Sequence, residues 1–342
     1  MHGDASKFNH DIINFVRSQY RGNKGGTLHM LINNILFASP MHNELEILLK
    51  DKEVYQRKQF RFCSEENVTT EDYKWADAFV SFKRPGNFLF ENIKWVHSLG
   101  AGVDKLLDDS EWKKDVLLTR TISSFGQKIS EYCLSYILRD TQNHEKYSEM
   151  NVKNDWNPIP PIPMHEKHVV IYGTGVIGQE VAKSLSYFGV KVDGVSLSGN
   201  ANEHFKNVYS SKSDYFRVLS KADYMINTMP LTKDTKLLFN TSLFSQCTNT
   251  VFINVGRGES VDNHALLEAL DSGNINSAIL DVFQEEPLPK KDMFWTHSRV
   301  IVTPHISAVT TPEEGLDCFL DTLYTIDTDR IPSNIVDVEK RF

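Results

Sequence analysis

Short apolar runs alternate with amphipathic, helix-like stretches along most of the chain. In the first half, "LHMLINNIL", "DAFVSF" and "IKWVHSL" predict buried strands, and "NELEILLK" predicts a helix. In the second half, strands are predicted for "VVIYG", "VKVDGVS", "YMINTM", "TVFINVG", "SAILDVF" and "VIVTPH". "HALLEALDSG" predicts a helix that ends at Asp271, with Gly273 near its C-cap. Strands that alternate with helices are typical of parallel α/β sheets.

The stretch between the two halves has a different pattern. A helix is predicted from Gly126 to about Met150, and "NDWNPIPPIP" ends it because each proline removes a backbone donor and fixes φ. One side of this helix is expected to carry Ile129, Cys133, Tyr136 and Ile137. A last amphipathic helix, Pro312 to Asp327, is expected to return to the first half. The predicted fold is α/β, with two doubly wound (Rossmann/flavodoxin-like) domains and a cleft between them for a substrate.

Composition narrows the range of partners. A chain of 342 residues with 40% hydrophobic positions can bury a core in each of two domains. The net charge of -8 argues against nucleic acid or a membrane surface as partner, because both are anionic. The four cysteines lie far apart without a CxxC pair, so neither a disulfide framework nor a metal site is predicted. With no signal-peptide or membrane-spanning pattern in the sequence, we expect a cytoplasmic protein.

A strand, a glycine-rich turn and a helix follow one another in "VVIYGTGVIGQEVAKSLSYFG". Gly173 permits the tight turn, Gly175 lets the backbone approach a pyrophosphate, and Gly178 lets helix and strand pack closely. The phosphates would lie against N–H groups at the start of the helix. This stretch therefore predicts a dinucleotide site.

The next strand ends in Ser196, Leu197 and Ser198, where such units usually carry an acid. That acid binds the ribose 2′-hydroxyl and repels a 2′-phosphate, so its absence removes the barrier to NADP. An arginine is missing as well, although Lys206 and Lys212 follow. The pattern slightly favours NADP over NAD, and the alternative that the serines are ordinary turn residues stays open.

Three charged or titratable residues lie near the ends of successive predicted strands or in the loops after them. They are Arg257, Glu286 and His305, and in an open α/β sheet that edge binds ligands. Histidine can exchange a proton near neutral pH, and a carboxylate beside it favours the protonated form. Arginine offers a planar fork of donors for a substrate carboxylate.

From about residue 75 to 325 the chain resembles the D-isomer-specific 2-hydroxyacid dehydrogenases, in particular the glyoxylate/hydroxypyruvate reductase A branch. The motifs that carry the resemblance follow the family's order: "SLGAGVD", "WNPIP", "GTGVIG", "MPLTKDT", "NVGRG", "LDVFQEEPLP" and "TPHISAVT". The resemblance implies NAD(P)H-dependent reduction of a small 2-keto acid to the D-2-hydroxy acid. Hydride transfer leaves negative charge on the carbonyl oxygen, so this reaction needs a proton donor beside it. It makes His305 the proton donor, Glu286 its acidic partner and Arg257 the residue that binds the substrate carboxylate.

The resemblance also implies further binding residues. Backbone N–H groups at Ala101 and Gly102 would hold the substrate carboxylate, together with Arg257 and His305. Asp281 would meet the nicotinamide carboxamide. The other implied cofactor contacts are Val176, Ile177, Met229, Pro230, Val255 and Gly256. Trp156 and Trp295 are placed either beside the substrate pocket or in core or dimer contacts, and these alternatives stay open.

Residues 126–163 match the region through which the family dimerises, so a homodimer is expected. The predicted organisation is an N-terminal extension over 1–26, a substrate-binding domain over 27–125 plus 310–342, and a dinucleotide-binding domain over 126–309 with a dimerisation arm at 126–163. The rival interpretation is a dinucleotide-sensing binding protein, similar to the co-repressor relatives that keep this fold. It is less favoured because the chain lacks the long disordered tails and basic surface expected of a transcriptional scaffold.

Overall fold

The computed structural model describes residues 30–107, 111–213 and 215–341. The extension predicted over 1–26 lies outside the described residues. The chain divides into two compact units. Unit 1 takes its described residues from the part of the chain up to Ser123 and from Thr310 onward, and unit 2 runs from Ser124 to Val309.

The described residues form two sheets and a set of helices. The strands are β1 (Asn34–Ala38), β2 (Gln59–Cys63), β3 (Ala78–Ser81), β4 (Trp95–Ser98), β5 (Leu117–Arg120), β6 (His168–Tyr172), β7 (Lys191–Ser196), β8 (Asn207–Ser210), β9 (Tyr224–Asn227), β10 (Thr250–Asn254), β11 (Ile275–Leu280) and β12 (Val300–Val302). The helices are α1 (His42–Lys50), α2 (Val54–Arg57), α3 (Thr70–Trp75), α4 (Asp104–Leu107), α5 (Phe125–Thr141), α6 (His144–Lys153), α7 (Val176–Tyr187), α8 (Phe216–Leu219), α9 (Thr241–Phe244), α10 (Asn263–Ser272) and α11 (Pro312–Asp327).

Unit 1 is a five-stranded parallel sheet with the order β2-β1-β3-β4-β5. Successive residues of a strand point to opposite faces, and those of β1 fall alternately into two separate apolar clusters. One face is covered by α1 and α11, and the other by α3 and α4. The final helix thus packs on the sheet of the first half, as the sequence predicts.

Unit 2 is a seven-stranded parallel sheet with the order β12-β11-β10-β9-β6-β7-β8. Helices α5 and α7 pack on one face, and α9 and α10 on the other. The register places Val170 between Asp193 of β7 and Met225 of β9. From β6 the chain winds outward through β7 and β8, and then crosses to β9 on the opposite side of β6. Two doubly wound parallel sheets confirm the predicted fold class.

Two predicted elements differ from the structure. Strand β1 begins only at Asn34, because the N–H groups of Asn33 and Asn34 donate to the Asp77 carboxylate, each over 3.0 Å. The helix predicted from Gly126 to about Met150 is two helices, α5 and α6. They are separated at Asn143, which has a left-handed φ of 55°. Asparagine adopts the left-handed conformation more readily than most other residues that carry a side chain. A residue in this conformation cannot continue a right-handed helix, so the helix ends there.

Candidate active site

All strands of unit 2 run parallel, so their carboxyl ends lie along one edge of the sheet, called here the carboxyl edge. The predicted site residues follow these ends: Gly173 after β6, Ser196 at the end of β7, Met229 after β9, Val255 after β10, Asp281 after β11 and His305 after β12. The winding direction reverses between β6 and β9, and the glycine turn lies at that point. Such reversals open a crevice for ligands in doubly wound sheets.

The three glycines of the turn have different surroundings. Gly173 has a φ of +95°, and a Cβ there would lie 2.8 Å from Thr228 Oγ1. A Cβ on Gly178 would lie 1.9 Å from the Gly173 carbonyl oxygen. A Cβ on Gly175 would meet nothing within 4 Å, so the space in front of it is open. This open cradle lies at the start of α7, where Val176 and Ile177 have no intrahelical acceptor for their N–H groups, and it fits a pyrophosphate.

The loop after β7 adjoins the end of β8. Ser196 pairs with Ser210 in the register, and Ser210 Oγ donates to the Leu197 carbonyl over 3.1 Å. Ser196 Oγ accepts the Gly199 N–H over 3.1 Å. Among the described residues of this corner, the ends of both strands carry hydroxyl groups and no carboxylate.

The two lysines of this region lie at opposite ends of β8. Lys212 follows the strand, and its N–H donates to Ser210 Oγ over 3.3 Å. Lys206 precedes the strand, and its N–H donates to the Val192 carbonyl near the start of β7. Lys212 therefore belongs to the carboxyl edge and Lys206 to the opposite edge.

The turns after β9 and β10 are held together by buried amides. Asn227 donates to Asn254 Oδ1 and to Ser260 Oγ, each over 2.9 Å, and accepts the Met229 N–H over 3.0 Å. Asn254 Oδ1 accepts the Gly256 N–H over 3.2 Å. This network fixes the backbone of two predicted cofactor residues, Met229 and Gly256. The other two, Pro230 and Val255, are their neighbours in the sequence. The sequence analysis missed the two asparagines, although polar residues that end the apolar runs "YMIN" and "VFIN" were a usable signal.

Arg257 lies in extended conformation just before a 3-10 turn, Gly258–Ser260. Its carbonyl accepts from Asn254 Nδ2 at 3.1 Å and from Ser260 Oγ at 2.6 Å, and its guanidinium donates to the Gly256 carbonyl over 2.7 Å. A Cβ on Gly258 would lie 1.9 Å from the carbonyl carbon of Phe283. The turn that carries Arg257 therefore packs directly against the chain leading to Glu286.

His305 and Glu286 form the predicted pair. The imidazole Nδ1 lies 3.0 Å from Glu286 Oε2, and Glu286 Oε1 accepts the Phe283 N–H over 3.1 Å. The His305 side chain is 46% exposed and that of Glu286 is 20% exposed. A carboxylate oxygen accepts, so Nδ1 carries a hydrogen and Nε2 is the nitrogen left to face a substrate.

Asp281 is completely buried. Its Oδ1 accepts from Thr303 Oγ1 at 2.6 Å and from the Ile306 N–H at 2.8 Å, and its Oδ2 accepts the Ser307 N–H at 2.9 Å. All of these donors belong to the loop that contains His305. Its predicted contact with the nicotinamide carboxamide stays a prediction.

In unit 1, Ala101 and Gly102 lie in the turn after β4. Ser98 Oγ lies 3.0 Å from the Gly100 carbonyl oxygen and 2.9 Å from that of Gly102, so its one hydrogen is shared between them. Arg120 donates to the Ala101 carbonyl over 3.3 Å. The carbonyl groups of this turn are thus held by side chains of unit 1. The substrate role of the Ala101 and Gly102 N–H groups stays a prediction.

Neither candidate tryptophan is a core residue. Trp156 is 97% exposed, and Trp295 is 50% exposed with its indole N–H donating to the Pro289 carbonyl over 3.0 Å. Within the described residues, no group of three or more His, Cys, Asp or Glu side chains could hold a metal ion. None of the described helices has both the length and the apolar character needed to cross a membrane.

A parallel sheet with a glycine turn at its winding reversal, and with an acid–base pair on the same edge, is typical of dinucleotide-dependent oxidoreductases. The family model for the D-isomer specific 2-hydroxyacid dehydrogenase, NAD binding domain, matches residues 134–307. Glyoxylate/hydroxypyruvate reductase A of Serratia proteamaculans is 30% identical over 314 residues, which cover 89% of this chain and 98% of the relative. The chain belongs to the D-isomer-specific 2-hydroxyacid dehydrogenase family.

Two solved structures show the same architecture. The NADPH-dependent glyoxylate/hydroxypyruvate reductase of Sinorhizobium meliloti, in complex with NADP and sulfate, is 27% identical, with a TM-score of 0.81 over 91% of this chain and 100% of that chain. A D-isomer specific 2-hydroxyacid dehydrogenase of Xanthobacter autotrophicus, in complex with NADPH and MES, has the same identity, TM-score and coverage. These findings confirm the predicted family and enzyme class, and they support the dehydrogenase rather than the dinucleotide-sensing rival.

Proposed function

We propose that this protein reduces glyoxylate, hydroxypyruvate or a similar small 2-keto acid to the D-2-hydroxy acid. The observation that carries the proposal is the His305–Glu286 pair, whose Nδ1 to Oε2 distance is 3.0 Å, on the same sheet edge as the glycine turn. The names of the similar reductases support this substrate class. In this proposal unit 2 binds the dinucleotide and unit 1 contributes Ala101 and Gly102 to substrate binding.

Each residue of the pair has a defined task in the reduction. The bound dinucleotide supplies the hydride that the carbonyl carbon receives. His305 gives the proton on Nε2 to the carbonyl oxygen, which would otherwise carry the negative charge. Glu286 orients the ring through Nδ1 and stabilises the protonated imidazole. Arg257 binds the substrate carboxylate with its planar fork of donors.

For the cofactor we propose NADP in preference to NAD. The carboxyl ends of β7 and β8 present Ser196, Ser198 and Ser210, and Lys212 follows on the same edge. Hydroxyl groups and an ammonium group attract a 2′-phosphate, whereas the usual acid would repel it. The solved relatives from Sinorhizobium meliloti and Xanthobacter autotrophicus hold NADP and NADPH.

We also propose that the protein is cytoplasmic and that it forms a homodimer. The observation that supports the cytoplasm is that all four cysteines are free thiols. Unpaired cysteines are typical of a reducing compartment. The dimer would form through residues 126–163, which include α5, α6 and the proline-rich segment.

The proposed function is tested by initial-rate reduction of glyoxylate and hydroxypyruvate, with NADPH and NADH in parallel. We expect turnover with a preference for NADPH, and a loss of about 10²-fold or more in kcat for His305→Ala. His264→Ala is the matched control, because His264 is an exposed histidine of unit 2 outside the proposed site. If wild-type protein binds NADPH tightly yet reduces no small 2-keto acid, the reductase proposal fails. A preference for NADH would refute only the proposed role of the serines and Lys212.

A further inference from the structure

A chain of hydrogen bonds connects helix α5 with the loop that carries His305. The Tyr132 hydroxyl lies 2.7 Å from Thr303 Oγ1, and Thr303 Oγ1 donates to Asp281 Oδ1 over 2.6 Å. A threonine hydroxyl has a single hydrogen, and Thr303 uses it on Asp281. Tyr132 must therefore donate to Thr303, so the chain runs in one direction, from Tyr132 through Thr303 to Asp281.

The last member of this chain fixes the backbone around His305. The Asp281 carboxylate accepts hydrogen bonds from the N–H groups of Ile306 and Ser307. The backbone carbonyl of Asp281 accepts the His305 N–H over 2.9 Å. His305 has a left-handed φ of 55°. A residue with a side chain is uncommon in this region and stays there only where its surroundings fix it. Asp281 supplies that constraint on both sides of the residue.

Tyr132 is well placed to stabilise Asp281 from the helix. It packs against the apolar cluster formed by α5, α7 and the sheet, and its ring makes an edge contact with Tyr136 at a centroid distance of 4.9 Å. Burial raises the pKa of the Tyr132 phenol well above its ordinary value, so the phenol remains a donor. A polarised series of hydroxyls strengthens each bond in it.

We propose that Tyr132 and Thr303 are positioning residues for His305, which they hold in its left-handed conformation through Asp281. The proposal deepens the proposed function and rests on it, since that function gives His305 its task. Neither hydroxyl touches substrate in this scheme. Their effect on the reaction passes through the backbone of residues 303–307, whose donors Asp281 collects.

The kinetic test compares two variants. Each removes one hydrogen bond that a tyrosine hydroxyl makes, and in each bond one of the two partners belongs to α5. Tyr132→Phe breaks the chain to His305, whereas Tyr224→Phe removes the bond from β9 to Asp140 of the same helix. Tyr224 begins its strand and so lies at the edge opposite His305. We expect kcat to fall at least about fivefold in Tyr132→Phe alone, as for the loss of one well-placed hydrogen bond, with the Kd for NADPH within about twofold of wild type.

Thr303 gives a second variant pair with a rescue. Thr303→Val keeps the shape but removes the hydroxyl, and we expect it to lower kcat at least as far as Tyr132→Phe. Thr303→Ser restores the hydroxyl and should recover most of the rate. The proposal is overturned if Tyr132→Phe loses no more kcat than Tyr224→Phe, or if Thr303→Ser is as slow as Thr303→Val.

A spectroscopic measurement separates this proposal from the proposed function. In protein with labelled histidine, the His305 ring signals are assigned by their loss in His305→Ala. We expect these signals to shift or broaden in Tyr132→Phe and Thr303→Val and to keep their positions in Tyr224→Phe. If the His305 signals are unchanged in both Tyr132→Phe and Thr303→Val, the positioning role of Tyr132 and Thr303 is overturned. Should the wild-type protein reduce no keto acid, the reductase proposal fails while the spectra still decide this one.

Discussion

At the scale of single residues, the different roles of two glycines in the turn after β6 can be distinguished by experiment. Gly175 has open space where a Cβ would be, and its φ of -74° suits any residue. We expect Gly175→Ala to change the free energy of unfolding by no more than about 0.5 kcal/mol. We expect it to raise the Kd for NADPH at least about fivefold, since filling a close backbone approach costs about 1–3 kcal/mol. Nucleotide fluorescence titration measures the affinity.

Gly178→Ala is the contrasting variant. Its Cβ would lie 1.9 Å from the Gly173 carbonyl oxygen, so the helix and the turn must separate. We expect a loss of about 2 kcal/mol or more in the free energy of unfolding, measured by urea denaturation. If Gly175→Ala is the destabilised protein and binds NADPH normally, the space in front of Gly175 is not where the pyrophosphate lies.

Residue identities could be predicted from sequence where the chemistry demands a side-chain type. Keto-acid reduction needs a proton donor, an acid beside it and a carboxylate binder, and the motifs supplied His305, Glu286 and Arg257. The structure brings the first two into hydrogen-bond contact. Backbone conformation and burial cannot be predicted from the residue type in the same way. Neither the left-handed φ of His305 nor the enclosure of Asp281 by loop N–H groups follows from residue type, because both depend on how the loop folds back on β11.

At the scale of elements, one buried carboxylate joins three strands of unit 2. Asp193 of β7 accepts from His168 Nε2 of β6 at 2.7 Å and from Asn207 Nδ2 of β8 at 2.8 Å, and Lys191 Nζ lies 3.2 Å away. Burial alone would raise the pKa of Asp193, but the hydrogen bonds from His168, Asn207 and Lys191 together lower it to about 2.

The lowered pKa of Asp193 predicts a pH dependence of stability. A depressed carboxyl pKa stabilises the fold above the unfolded value of about 3.9, and this contribution of about 2–3 kcal/mol is lost as the pH falls toward 2. We expect Asp193→Asn to be less stable than wild type at pH 6 and the gap to narrow by about 1 kcal/mol at pH 3. Urea unfolding at both pH values measures the gap. A gap that is constant with pH, or that widens in acid, would contradict this account.

Element boundaries were predictable where a local signal stops the pattern. Helix α11 begins at Pro312 as predicted, because Thr311 and Glu314 form a capping box in front of it. Strands β2, β5 and β8 were not predicted. Their runs "QFRFC", "LLTR" and "NVYS" are short or mixed in polarity, and β2, β5 and β8 are edge strands. An edge strand forms because a neighbour offers hydrogen bonds, which a local pattern does not record.

At the scale of the whole molecule, the winding of both sheets followed from the alternation of strands and helices. Parallel strands need crossover connections, so a chain that alternates in this way has few topologies open to it. The return of α11 to unit 1 was likewise predictable, because its apolar face fits the first sheet. The association of two chains is different. It depends on surfaces that bury nothing within one chain, and the sequence alone does not mark which exposed apolar residues meet a partner.

We propose that helix α6 and the proline-rich segment after it form such a surface. None of the ten residues of α6 is buried, while Val152 is 85% exposed and Trp156 is 97% exposed. A short helix without a buried face gains little stability from its own chain, so we expect a second copy of the chain to cover it. We expect light scattering at micromolar concentration to give twice the chain mass of 39.1 kDa. Trp156→Glu should shift the population toward monomer, whereas Tyr324→Glu, at a 64% exposed aromatic on α11, should leave the dimer intact. A wild-type protein that is monomeric at these concentrations, or a Trp156→Glu protein as dimeric as the Tyr324→Glu control, would place the subunit contact elsewhere or remove it.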